Sequence, residues 1–252
     1  MAKIFSDGEI PKRFEGKVTY KSKGNDFHTV KEKTGFTTEA LLNDPKYVKS
    51  RENSNEFGAV SQLCKAIRVM LNEGLPKSKN LEVTNGLNTI MQKVMCCDTI
   101  APKGNRCLKN GFASSGGKSL FTGYDFNPSG LLRNTFKGNY RFNARKRQLI
   151  FDAFKTSTAF VFPEGADAVG LRLGALRFDF GSSTGFYALT DLAFYGLNSR
   201  STKKMKFTIN DFPEGEGNVF FLLEVAFFVE NEGAFVSFPK NDTKVVYVLR
   251  VE

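Results

Sequence analysis

The sequence predicts an α+β protein: a basic N-terminal β-hairpin and a helical hairpin, followed by an all-β antiparallel sandwich. Three observations carry that expectation. The first is the run from 219 to 252, which is apolar at a period of two on both faces. Phe221, Leu223, Val225, Phe227 and Val229 fall on one side, and Phe220, Leu222, Glu224, Ala226 and Phe228 on the other. A strand of this kind has to be covered on both sides. Turn residues at Glu230, Asn231 and Gly233, a break near Pro239, and a third β-rich run at 244–251 complete a three-stranded meander. The second observation is that helical periodicity of about 3.6 residues is confined to the N-terminal half. The third is a succession of short β-rich runs and Gly/Pro corners after residue 120.

The 252 residues divide by pattern into 1–109, holding a basic arm, hairpin and helices, and 110–252, the sandwich domain. Material for a core is ample: 41% of residues are hydrophobic and 26 are Phe, although Trp is absent. The net charge of +10 is uneven, with 19 Lys and Arg against 12 Asp and Glu in 1–109, and 17 against 14 in 110–252. A basic N-terminal half suits phosphates, an acidic protein surface or an anionic membrane face; equally, it is a solvated surface that aids solubility. No apolar run approaches the ~20 residues of a membrane span, and residues 1–7 lack the apolar centre of a signal peptide. The expected location is therefore the cytoplasm, or a particle assembled there. Cys64, Cys96, Cys97 and Cys107 have neither metal-ligand nor disulfide-framework spacing, so they are expected to be free thiols.

In chain order, residues 1–13 look like a loose arm. Two short strands, 17–21 and 27–31, flank Lys23, Gly24, Asn25 and Asp26, which have hairpin-turn chemistry. Lys17, Lys21, Lys23, Lys31 and Lys33 with Tyr20, Phe27 and His28 between them make a basic, aromatic ribbon that can follow a phosphate backbone or meet a partner. The same lysines also suit an edge hairpin that repels strand addition. Thr37 or Thr38 can cap a short helical turn, and Asp44 stands before a proline tolerated in a first turn. Asn53 or Ser54 opens a longer helix whose Phe57, Val60, Leu63, Cys64, Ile67, Met70 and Leu71 form one stripe, ended by Gly74 and Pro76. A further helix at 81–97 turns Val83, Leu87, Ile90, Met91, Val94 and Met95 inward. The doubly apolar C-terminal strand is a candidate for what these stripes cover.

Residues 98–117 read as a linker. Within them Gly111, Gly116, Gly117, Lys118 and Ser119 approach a phosphate-binding loop, but five residues instead of four separate the first Gly from the Gly-Lys-Ser. The following 120–126 alternates like a strand and does not open a helix, so nucleotide hydrolysis is not expected. Further strands are expected at 157–162, 168–180, 187–195 and 205–209. Arg145, Lys146 and Arg147 form the densest basic cluster, a second candidate for nucleic-acid or partner binding that also reads as a solvated loop.

No catalytic residues, cofactor-binding residues or metal ligands are expected. One His, His28, leaves little scope for nucleophile activation, and Asp152, Asp179 and Asp191 are scattered singly. The blocks Gly16 to Gly24, Thr34-Gly35-Phe36, Asn43-Asp44-Pro45, Tyr124 to Asn127 and above all Arg51-Glu52-Asn53-Ser54-Asn55-Glu56-Phe57-Gly58 resemble an uncharacterised family of similar length from Bacteroidetes bacteria. That family has no established activity, so the resemblance implies shared architecture and no chemistry. Val60 to Cys64 depart from its usual small and basic residues. The expected function is a non-enzymatic structural protein that self-assembles into a larger particle or filament, virus-like particles included, through its sandwich and basic arm. The alternative is a nucleic-acid-binding accessory protein using the hairpin; a sugar-binding module is disfavoured by the lack of Trp.

Overall fold

The computed structural model describes residues 2–4, 13–14, 17–21, 26–32, 37–76, 80–210, 212, 214–239 and 243–252. Helices and antiparallel sheets are both present, as an α+β chain requires. The chain separates into two compact units, Met1–Arg51 and Glu52–Glu252. The expected boundary at 109/110 instead falls inside a helix, Leu108–Ala113.

In the first unit, β1 (Ala2–Ile4), β2 (Arg13–Phe14), β3 (Lys17–Tyr20) and β4 (His28–Glu32) form one antiparallel sheet in the order β1-β4-β3-β2. The expectation of a loose arm is corrected at its two described pieces. These pair with the outer edges of β3 and β4, satisfying backbone groups that would otherwise be bare. The expected turn at 23–26 lies largely outside the described residues. Next comes α1 (Thr38–Asn43), where Thr37 Oγ1 accepts from Ala40 N at 3.1 Å. A 3-10 turn follows at Pro45–Tyr47, with Asp44 Oδ1 accepting from Lys46 N at 3.0 Å.

The remaining elements are α2 (Val48–Met70), α3 (Asn80–Met95), α4 (Leu108–Ala113), α5 (Ser115–Phe121), α6 (Leu132–Thr135), β5 (Tyr140–Asn143), β6 (Gln148–Phe151), α7 (Thr156–Ala159), β7 (Ala168–Asp179), β8 (Thr184–Leu189), β9 (Ala193–Gly196), β10 (Met205–Thr208), β11 (Asn218–Asn231), β12 (Ala234–Ser237) and β13 (Val245–Val251). The helix expected to open at Asn53 or Ser54 starts earlier, at Val48, because nothing in 48–52 breaks it. The large sheet is built on β7 and β11, paired antiparallel from Asn218–Phe178 to Phe228–Ala168. Each of these strands is long enough to hold two short strands in tandem on its outer edge: β8 and β9 on β7, β13 and β12 on β11. The expected meander is thereby corrected, since β13 returns to β11 and does not pair with β12.

The two apolar faces of β11 are covered as their composition demands. Phe220 and Leu222, with Leu176 and Phe178 of β7 and Val246 and Val248 of β13, share a core with Val60, Cys64 and Ile67 of α2 and Leu87, Met91 and Val94 of α3. The helices therefore cover their own chain's sheet. On the other side Phe221, Leu223, Val225 and Phe227 share a core with Leu149 and Phe151 of β6 and Phe207 of β10, which belong to a separate three-stranded sheet ordered β10-β6-β5. Phe57 leaves the expected stripe: it is 56% exposed, whereas Val60, Cys64 and Ile67 are buried.

The expected linker at 98–117 and parts of two expected strands are helical. Residues 98–117 hold α4 and the start of α5. The run 120–126 begins with the last turn of α5, and within it only Asp125 makes an isolated bridge, to Tyr247. Residues 157–162 hold most of α7 and a bridge from Phe160 to Phe136. The expected 187–195 strand is two, β8 and β9, while β5 and β6 were not expected at all. The helices at 108–121 form because glycine lets backbones approach closely. A Cβ on Gly111 would lie 2.4 Å from Val94 O, and one on Gly117 2.1 Å from Gly111 O. Ser114 caps α5, accepting from Gly117 N at 3.0 Å, and Phe112 and Phe121 are buried. Two of the glycines that mimic a phosphate loop, Gly111 and Gly117, thus serve helix packing.

Neighbouring glycines should consequently respond in opposite ways to alanine. Gly117→Ala forces a Cβ against backbone and should cost about 1–3 kcal/mol. At Gly116 the nearest atom is 3.8 Å away, so Gly116→Ala should stabilise by about 0.5–1 kcal/mol through helix propensity. Urea denaturation of the two variants checks the pair.

Candidate interaction surface

The basic ribbon expected at the N-terminus is divided by its own register. Lys17 pairs with Glu32 and Thr19 with Val30, whereas Val18 pairs with Lys31 and Tyr20 with Thr29. Lys17 therefore shares a face with the buried Thr19 and Val30, and Tyr20 and Lys31 lie on the other. On that second face the Lys31 ammonium sits 5.6 Å from the centroid of the exposed Tyr20 ring. Lys21 follows β3 and is exposed. Lys23 and Lys33 lie outside the described residues.

Arg145, Lys146 and Arg147 lie in the other unit, at the turn joining β5 to β6. Arg147 N donates to Ala144 O at 2.9 Å, and Lys146 N to Asn143 Oδ1 at 3.1 Å. Arg145 and Lys146 are exposed. Arg147 is half-buried, its guanidinium 5.5 Å from the ring of Phe212, which also receives Arg177 at 5.0 Å. The cluster is a hairpin tip with one of its three cations engaged by its own chain.

Three buried carboxylates escaped the sequence reading, and all are structural in geometry. Glu224 lies on the helix-facing side of β11, where Arg172 Nε donates to its Oε2 at 2.6 Å and the Tyr187 hydroxyl donates to its Oε1. Burial first, then the Glu224 charge, hold the Tyr187 phenol protonated well above its usual range. Gly74, just past α2, makes room: a Cβ there would come within 2.5 Å of Glu224 Oε1. Glu56, on α2, receives Arg106 through two hydrogen bonds of 2.7 and 2.8 Å, and Gly104 N at 2.7 Å. The Arg106 bonds lead in holding its carboxyl below the usual range. For Asp98, burial works against the charge. Hydrogen bonds from the N–H groups of Cys107, Ala101 and Ile100 and from Asn110 win, at about 2. These acids tie the segment 98–110 to itself and to α2.

The scattered acids also have local duties. Asp152 pairs with Arg141 at 3.2 Å, and Asp179 accepts from the N–H groups of Gly181 and Ser182. Cys64 is buried and its thiol is pushed up to about 12 by desolvation, while Cys96, Cys97 and Cys107 are free and accessible to different degrees. Among the described residues no group of His, Cys, Asp and Glu could hold a metal ion, and no helix is long and apolar enough to cross a membrane.

Apolar surface concentrates at the end of the large sheet where β9 and β12 lie. Phe194 and Phe235 stack at 5.1 Å with an interplanar angle of 19°, each 39% exposed, and Phe228 meets Phe194 edge-on at 4.8 Å. Gly170 admits this cluster, since a Cβ there would lie 2.7 Å from the Phe228 ring. All of β12, Ala234–Ser237, is exposed; Val236 is 51% exposed, on the face opposite Phe235, and the strand carries no charge or proline. Across the sheet, β8 also forms an outer edge, with Thr184, Gly185 and Phe186 exposed. Ordinary edge strands are blunted by lysine, proline or a bulge; these two are not.

No protein-family model, curated protein or solved structure matches the chain. Its surface and its buried groups are therefore argued from their own chemistry.

The buried Arg172–Glu224 pair yields a direct check. Arg172→Met leaves a carboxylate buried with only Tyr187 as donor and should cost about 3–5 kcal/mol. Arg172→Met/Glu224→Met removes the orphaned charge and should recover most of that loss. Equilibrium denaturation of both variants decides it, and a single variant as stable as the parent would show that the pair is solvated.

Proposed function

We propose that the protein is a non-enzymatic structural subunit that joins to copies of itself through the outer edges of its large sheet. The observation that carries this reading is β12. It is an exposed, uncharged edge strand with Phe235 and Val236 on opposite faces, beside the exposed Phe194 ring. Such an edge offers unpaired N–H and C=O groups along one side and apolar side chains above and below, which is the chemistry of strand addition. Pairing β12 with its own copy closes a two-fold dimer; pairing it with the β8 edge of the next molecule is head-to-tail and continues into a ring or filament. The engaged carboxylates described above leave these groups to stability and not to turnover, in keeping with a building block.

The test is mass in solution. By size-exclusion chromatography with light scattering, the parent should exceed the 28.1 kDa of one chain at micromolar concentration, and Val236→Lys, an exposed edge substitution, should return it to one chain. A parent that elutes as a monomer sinks the reading.

A second reading, nucleic-acid binding, is favoured by one pair, the exposed Tyr20 ring with Lys31 beside it, where a base could stack next to a cation. It predicts binding to single-stranded oligonucleotides that weakens steeply with salt, and that Lys31→Glu/Tyr20→Ala reduces by about tenfold or more in fluorescence anisotropy.

A further inference from the structure

One cavity in the second unit has no part in the assembly proposed above. Its volume is about 650 Å³, room for a small organic molecule. The walls come from the start of α3 at Glu82 and Gly86, from residues 123–140, and from Tyr247 of β13. Its character is aromatic: Tyr124, Phe126, Phe136, Tyr140 and Tyr247 all line it, and Phe126 and Phe136 are buried. Burial pushes the Tyr124 phenol well above its usual range; at Tyr140 burial and then the neighbouring Tyr247 do the same. The ring faces are thus neutral and electron-rich across the physiological range, the condition for attracting a cation.

Among these rings stands the carboxyl of Asp125. Its Oδ1 accepts from Leu132 N at 2.9 Å, and its backbone is held by the bridge to Tyr247. Among the described residues no lysine or arginine forms a salt bridge with it. The nearest cation to act on it, Arg133, is exposed at the rim and lowers its pKa less than the Leu132 N–H does. The other titratable groups facing the cavity are Glu82, Tyr124, Tyr140 and Tyr247, none of which is positive. Desolvation raises the Asp125 carboxyl from 3.8 to about 6, so at neutral pH a charge is held in poor solvent with only the exposed Arg133 acting on it and no ion pair formed. Elsewhere in this protein the buried Glu56 and Glu224 are paired directly with arginines.

We propose that this cavity binds a small organic cation, an aryl- or alkylammonium, whose charged nitrogen pairs with Asp125 while its apolar part lies against Tyr124, Tyr140 and Tyr247. The amine supplies a positive charge in direct contact with the carboxyl, which the rim Arg133 does not, and the rings supply both apolar cover and cation–π attraction. The sign of the pH dependence follows. The cation needs ionised Asp125, and the ionised fraction falls about tenfold between neutral pH and one unit below a pKa of about 6.

The experiment titrates the full chain by isothermal calorimetry with three probes of one shape: phenethylammonium, 2-phenylethanol and phenylacetate. At about pH 8 the ammonium should bind, with the alcohol and the carboxylate at least about tenfold weaker. Moving the parent protein to about pH 5 should weaken the ammonium about tenfold and leave the alcohol unchanged. Asp125→Asn, its folding checked by circular dichroism, should reproduce that loss at about pH 8. Equal binding of amine and alcohol, tighter binding of the carboxylate, pH-independent binding of the amine, or no binding of any probe at millimolar concentration would each overturn the proposal. The pH arm needs no variant, so a poorly folded Asp125→Asn does not spare it.

Discussion

Burial of both faces of one strand is the constraint on which the second unit rests. β11 alternates large apolar side chains on its two sides, and leaving either side in water would forfeit roughly 1.5–3 kcal/mol for each large side chain exposed. The chain answers with α2, α3, α4 and α5 on one side and β6 and β10 on the other. β7 lies alongside β11 for nearly its full length and shares both coverings, so its own pattern is almost as apolar. The glycines at 74, 111, 117, 170 and 174 follow from the same demand, each placed where backbone, ring or carboxylate comes too close for a Cβ.

The buried carboxylates Glu224, Glu56 and Asp98 are each met by several donors. Glu224 is the one charge in the covered part of β11, and it is tolerated because Arg172, its cross-strand neighbour, and Tyr187 reach it at once. Glu56 and Asp98 collect their donors from a loop that would otherwise have little apolar reason to fold. A net charge of +10 thus coexists with acids that are concentrated where they have structural work, and the surplus lysines and arginines remain outside.

Much of this was legible in the chain. The double apolar alternation of 219–229 announced a strand covered twice, and the stripes of α2 and α3 named most of their buried positions, with Phe57 exposed and Leu63, Met70 and Ile90 half-buried. What failed was local composition. Gly111 to Ser119 looks like a linker because glycine and serine have weak helix propensity, yet α4 and α5 are held by Phe112, Phe121 and backbone contact with α3, information that is tertiary. β5 and β6 were hidden by the conspicuous Arg145, Lys146 and Arg147 between them, although Tyr140 and Phe142 alternate with Arg141 and Asn143 as a half-buried strand should. The Arg172–Glu224 pair joins residues 52 apart, and the aromatic cavity gathers residues from 82 to 247, so no spacing could have announced either. The one usable signal was Glu224 itself, a lone carboxylate in an apolar strand, which requires a partner somewhere.

The pairing of β7 with β11 spans a long stretch of chain, and β13 follows β11 later still. Helices α2 and α3 can form by local contacts soon after they leave the ribosome, but the surface they are meant to lie on is synthesised well after them. Between those moments their apolar stripes stand open to water, and the nascent chain has to be shielded or to collapse temporarily on itself. The wide cover that makes the finished molecule firm is therefore also what makes its birth slow and vulnerable to misassociation.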